Sequence, residues 1–179
     1  MVRSAVLAVT IMLMALIRYI YPVFIDKKYW ESIVYVPILA VSMYYSSLSA
    51  FYGGVFSAFK ETKILGTTST YAAVINLLVD LALFKAIGIY AAAVSTLISS
   101  CFLYLYRKYK MKKHLKTYEK SDMLIVAIFV VICALFYLNN PVMNFVNAVI
   151  AFVLSVLFNR NSAEMLLSKL KDLKNLKVR

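Results

Sequence analysis

Apolar and polar positions along this chain are segregated into blocks rather than interleaved. Six apolar stretches, at residues 4–24, 32–59, 64–84, 87–106, 123–138 and 142–158, are separated by short polar or basic segments. Each is close to the roughly 20 residues that an α-helix needs to cross the hydrocarbon of a bilayer. The pattern predicts an all-α, polytopic transmembrane helical bundle of about six helices. The second stretch is the longest and is expected to tilt or to lie partly in the interface. The third and fourth are divided only by Lys85 and Ala86, so a hairpin there needs a tight turn over residues 85–88, which Gly88 permits. Asn139, Asn140 and Pro141 form a turn signal between the last two. The chain thus divides into a four-helix transmembrane region (1–106), a basic loop (107–122), a transmembrane hairpin (123–159) and a basic tail (160–179).

The distribution of charge orients this map. If the amino terminus is cytoplasmic, the inner segments hold sixteen of the 20 basic residues, seven of them between Arg107 and Lys120. The outer segments then hold only Lys27, Lys28 and Lys85, and Arg18 lies within a span. Cytoplasmic loops carry the excess of Lys and Arg, so both termini are expected in the cytoplasm, which requires an even number of spans. Tyr19, Tyr21, Tyr29 and Trp30 cluster at one end of the first span, and Tyr104, Tyr106 and Tyr109 at the inner end of the fourth, as aromatic belts do. The tail places Met165, Leu166, Leu170, Leu173 and Leu176 among lysines. It reads either as an amphipathic helix on the inner leaflet or as a short frayed end.

Composition sharpens the class. Hydrophobic residues make up 63% of the chain, mean hydropathy is +0.80, and only 16% of residues are charged. A soluble domain carries about 25% charged residues. The net charge of +12 lies between apolar runs, so its expected partners are the anionic head groups of membrane lipids rather than nucleic acid. Residues 4–24 are too long for the core of a cleavable signal peptide and read as a retained helix. Cys101 and Cys133 fall inside apolar runs and read as small hydrophobes, with neither disulfide framework nor metal spacing. His114 reads as a solvated loop residue. No nucleophile–base pair, phosphate loop or metal motif is present, so neither an enzyme nor a cofactor is implied.

The informative polar residues are those inside the spans. A charge at a helix centre costs roughly 2.5–3.5 kcal/mol on insertion scales. Arg18 and Asp80 lie at similar depths and are able to pair between the first and third helices. Arg18 otherwise snorkels to the interface beside Tyr19 and Tyr21, or meets phosphate oxygens with its planar fork. Asp80 is a structural partner, a cation or proton-coupling site, or a sugar-hydroxyl contact. Asn76 lies one turn before it on the same face. Ser42, Ser46, Ser49, Gly53 and Ser57 form a small-residue stripe suited to close packing or to lining a polar cavity, and Pro37 is a candidate kink.

Residues 29–106 resemble the C-terminal part of the polysaccharide (O-antigen and capsule) flippases of the multidrug/oligosaccharidyl-lipid/polysaccharide exporter superfamily. The resemblance rests on an aromatic-rich loop followed by a proline-bearing helix (Tyr29, Trp30, Pro37) and a small-residue helix ending in Lys60-Glu61-Thr62-Lys63. After these come a helix with Asn76 and Asp80, and then Gly88 with Ala91-Ala92-Ala93. The family often has a second glycine after Gly88, where this chain has Tyr90-Ala91. Family members have about twelve to fourteen helices in two pseudo-symmetric lobes, with the substrate cavity between repeats. The resemblance therefore implies a partial flippase, the C-terminal lobe, in the cytoplasmic (inner) membrane. It would move undecaprenyl-linked oligosaccharide by alternating access together with an N-terminal lobe or second chain. The alternatives are a small homo-oligomeric transporter of another class and a non-transporting subunit or scaffold of an envelope polysaccharide complex.

Overall fold

A computed structural model describes residues 2–113, 122–138 and 140–176, with the side chains of 122 and 161–176 left aside. His114, Lys116 and Lys120 of the basic loop, Asn139, and the side-chain pattern of the basic tail lie outside the described residues. The described chain is all-helical. Six α-helices, α1 (Val2–Phe24), α2 (Val36–Ala58), α3 (Thr62–Ile87), α4 (Tyr90–Met111), α5 (Asp122–Tyr137) and α6 (Pro141–Leu176), are joined by a 3₁₀ helix, Lys27–Tyr35, between α1 and α2. Each apolar stretch of the sequence has most of its length on one of the α-helices. A helix is the form in which a segment surrounded by apolar material satisfies its own backbone polar groups.

Local chemistry sets the boundaries. Asp26 opens the 3₁₀ helix by accepting a hydrogen bond from the Lys28 amide. The long second stretch is divided at Val36, and Pro37 falls in the first turn of α2. An absent N–H costs nothing there, so Pro37 starts a helix instead of kinking one. At the other end of α2 the Lys60 amide donates to the Ser57 carbonyl and the Glu61 amide to the Phe56 carbonyl. This is a Schellman closure. Gly88, with φ +55°, closes α3 and makes the tight turn into α4. Asn140 caps α6 by accepting from the Val142 amide, and Pro141 takes the first helical position.

Lys60 holds the left-handed position of the α2 closure at φ +60°, where an L side chain crowds its own backbone. Lys60→Gly is expected to raise stability by about 1 kcal/mol. Thermal unfolding of the purified variant in detergent checks this, and an unchanged or lower midpoint would refute it.

α2 is the centre of the bundle. It packs most extensively on α4 and also meets α1, α3 and α5, while α1 packs along α6 and α3 along α4. Leu7, Ile11 and Met14 of α1, Tyr44, Leu48, Tyr52 and Phe56 of α2, Tyr104 of α4, and Phe129 and Ile132 of α5 form one buried core. Ala8 and Ala15 on α1 and Ala151 on α6 are buried small residues, and the Ala8 carbonyl accepts from Ser155 of α6. Of the serine stripe, Ser42, Ser49 and Gly53 are buried, whereas Ser57 is exposed. The stripe thus serves largely for packing. The amino end of α1, the α2–α3 loop and the end of α4 share one end of the bundle, here termed the basic end.

Four segments are long and apolar enough to cross a membrane: Val2–Phe24, Lys27–Ala58, Thr62–Ile87 and Pro141–Arg160. α5 is apolar but has 16 residues, and α4 carries Arg107, Lys108 and Lys110. On α3 only Thr68 and Ala72 are buried, while Val74, Leu77, Leu78, Leu81 and Phe84 point outward. A helix so apolar on its exposed face calls for lipid or protein as its solvent. The chain is a membrane protein of the helical-bundle class.

Candidate functional site

A cleft lies at the end of the bundle opposite the basic one. It has a volume of about 320 Å³ and is walled by Arg18, Tyr21 and Pro22 of α1, Trp30 and Ile33 of the 3₁₀ helix, and Asn144 of α6. Pro141 and Tyr19 complete its lining. The volume is at the lower end of the range for small-ligand sites. No acidic residue is among those that line it.

Arg18 is placed by α5. Its Nη2 donates to the Phe136 carbonyl at 2.7 Å, and its guanidinium carbon sits 4.3 Å from the centre of the Phe136 ring. Phe136 is the penultimate residue of α5, so its carbonyl belongs to the last turn, whose acceptors have no partner within the helix. Helix carboxyl termini favour cations, and the ring face adds a cation–π contact. Pro22 lacks the N–H that the Arg18 carbonyl would otherwise accept from, which loosens α1 beside the cleft.

The 3₁₀ helix forms the rim and is pinned by side chains. Tyr21 donates to the Tyr29 carbonyl and is hydrogen-bonded to Ser32. Trp30 Nε1 donates to the Ile25 carbonyl at 3.0 Å, and the Tyr137 hydroxyl to the Val34 carbonyl at 2.8 Å. Trp30 and Tyr21 are thereby held as fixed aromatic walls around one guanidinium. That arrangement suits an anion carried next to a flat, partly apolar group such as a sugar ring.

Asn76 and Asp80 lie elsewhere, on the seam between α3 and α4. The Asn76 amide donates to Ser99 Oγ at 3.2 Å and to Thr96 Oγ1 at 3.5 Å. Asp80 Oδ1 is shielded from solvent and has no hydrogen-bond partner among the described residues. The pairing of Arg18 with Asp80 is therefore not made. α1 lies against α6 and α2, α3 lies against α4, and Arg18 is held by the end of α5 instead. What the seam offers is a shielded carboxylate oxygen one helical turn from the Asn76 amide, which itself meets two hydroxyls of α4. Such a set suits a small cation or a proton.

One buried charge escaped the reading of the sequence. Arg107 is placed by that reading at the start of a basic loop, but α4 continues through it to Met111, and it is only 7% exposed. The available signal was spacing by multiples of four, Ala91, Ser95, Ser99, Arg107 and Met111 all lying on the buried face of α4. Cys101 and Cys133 are half-buried free thiols. Among the described residues no cluster of three or more His, Cys, Asp or Glu side chains comes together.

The fold and these sites define an α-helical membrane protein with an arginine–aromatic cleft at one end and a polar seam between two helices. No protein-family model, no curated protein and no solved structure matches the chain.

Proposed function

We propose that this chain is one lobe of a flippase for lipid-linked oligosaccharide, with six spans in the cytoplasmic membrane and both termini in the cytoplasm. The observation that carries the reading is the cleft: a single guanidinium between fixed Trp and Tyr walls, with no carboxylate in the lining. A lipid-linked sugar presents a pyrophosphate and a sugar ring side by side. The guanidinium fork suits the first and the aromatic walls the second. The Asn76–Asp80 seam is the proposed coupling site, where a cation or proton would neutralise the shielded carboxylate. In such transporters the substrate path lies between two lobes. The apolar outward face of α3 leaves room for a second lobe beside this one.

The purified protein tests the reading by native mass spectrometry with undecaprenyl pyrophosphate and, separately, undecaprenol. The pyrophosphate is expected to bind and the alcohol to bind far more weakly. Arg18→Gln is expected to weaken pyrophosphate binding by at least tenfold, or about 1.4 kcal/mol. Equal retention of both lipids, or an Arg18→Gln variant that binds like the parent, would remove the reading.

A further inference from the structure

The Arg107 guanidinium reaches two neighbouring helices. Its Nε donates to Thr68 Oγ1 at 3.1 Å and its Nη2 to Ser69 Oγ at 3.0 Å, both on α3. Nη2 also approaches the Leu65 carbonyl at 3.5 Å, and Nη1 donates to the Ser49 carbonyl of α2 at 3.0 Å. Every one of these acceptors is neutral. Gly53 leaves room for the approach on α2, since a Cβ there would make a tight 3.3 Å contact with Nη1.

A charge buried without a carboxylate is a costly way to hold helices together, because no opposite charge offsets its desolvation. What the arginine supplies is geometric. Its donors are fixed in one plane, so all the bonds form only when α2, α3 and α4 have one mutual height and rotation. A slide of α3 along α4 by a single residue, about 1.5 Å, strands an ionised group inside the bundle. We infer that Arg107 is a conformational clamp that makes the basic-end halves of α2, α3 and α4 one rigid body, which moves as a unit in any change of shape. This does not rest on the proposed transport function.

The clamp is tested from the acceptor side, where the buried charge is retained. Thr68→Val with Ser69→Ala removes only α3 hydroxyls. Amide hydrogen exchange of the full chain in detergent is then followed in three segments, residues 48–58, 62–70 and 103–111. Exchange is expected to accelerate at least tenfold in all three together, with α1 and the apolar part of α6 unchanged. Arg107→Met is expected to show the same concerted pattern. Acceleration confined to the substituted α3, or no change in any segment, would overturn the clamp. Because the α3 double variant keeps the arginine, failure of Arg107→Met to fold leaves the decision with it.

Discussion

A Tyr104→Ala variant is expected to lose about 2–4 kcal/mol of stability, close to what large-to-small changes cost in tightly packed cores. Tyr104 is 1% exposed at the crossing of α4 with α2. Its ring stacks on Tyr52 with centroids 5.9 Å apart and lies 5.4 Å from Tyr45. Lys108 Nζ lies 5.5 Å from the ring centre and 3.4 Å from the hydroxyl. In a membrane the transfer of apolar surface out of water contributes little between helices, because lipid is as apolar as the core. The loss is then a cavity term, which removes contacts that α2 and α4 cannot regain without moving together. Tyr104→Phe keeps the ring and its packing against Tyr52 and Tyr45, and is expected to cost less than the alanine change. Unfolding of both variants in a graded denaturing detergent series measures the difference. An alanine variant within 1 kcal/mol of the parent would mean that the α2–α4 contact is not a main support of the bundle.

Asp80→Asn is expected to change stability in opposite directions with and without a bound cation. In the absence of cation, the parent holds a shielded carboxylate oxygen with no hydrogen-bond partner among the described residues. Leaving a buried acceptor unsatisfied costs about 1–3 kcal/mol, and more when it is charged. The neutral amide of near-identical shape relieves part of that cost, so the variant unfolds at a higher temperature in a buffer of a bulky organic cation. Sodium at about 100 times its dissociation constant would stabilise the parent by about 2.7 kcal/mol and the variant not at all. The comparison is a melting series with sodium, potassium or the organic cation at one ionic strength. If the variant responds to sodium as the parent does, the seam is not the coupling site. If neither responds to any cation, the seam does not bind one.

The positions of the helices were readable in advance because apolar run length is a direct readout of the hydrocarbon a helix must match. The turns at Gly88 and at Asn140–Pro141 were readable for a local reason. A left-handed φ, an amide cap and a missing N–H are properties of single residues, visible without any neighbour. Pro37 was misplaced as a kink because its apolar run continues without a break through the point where the 3₁₀ helix gives way to α2. Arg107 was misplaced because a charge at the end of an apolar run ordinarily marks the water interface, whereas here the helix carries it on between two others.

Arg18 and Asp80 show the same division more sharply. Two opposite charges at matching depth invite pairing, yet the partner of Arg18 is the carbonyl of Phe136. Every residue carries a carbonyl, so nothing in the letter code distinguishes the one that a helix end leaves open. The sequence by itself determined that this is a membrane protein built of helices and where those helices lie in the chain. Only the tertiary structure decided which helices are neighbours, and hence that Asn76 meets α4, that Arg18 meets the end of α5, and that Arg107 joins α2 to α3. The reason is physical: lipid exposure depends on the composition of one segment, whereas helix neighbours are chosen by the fit of small and large side chains across two.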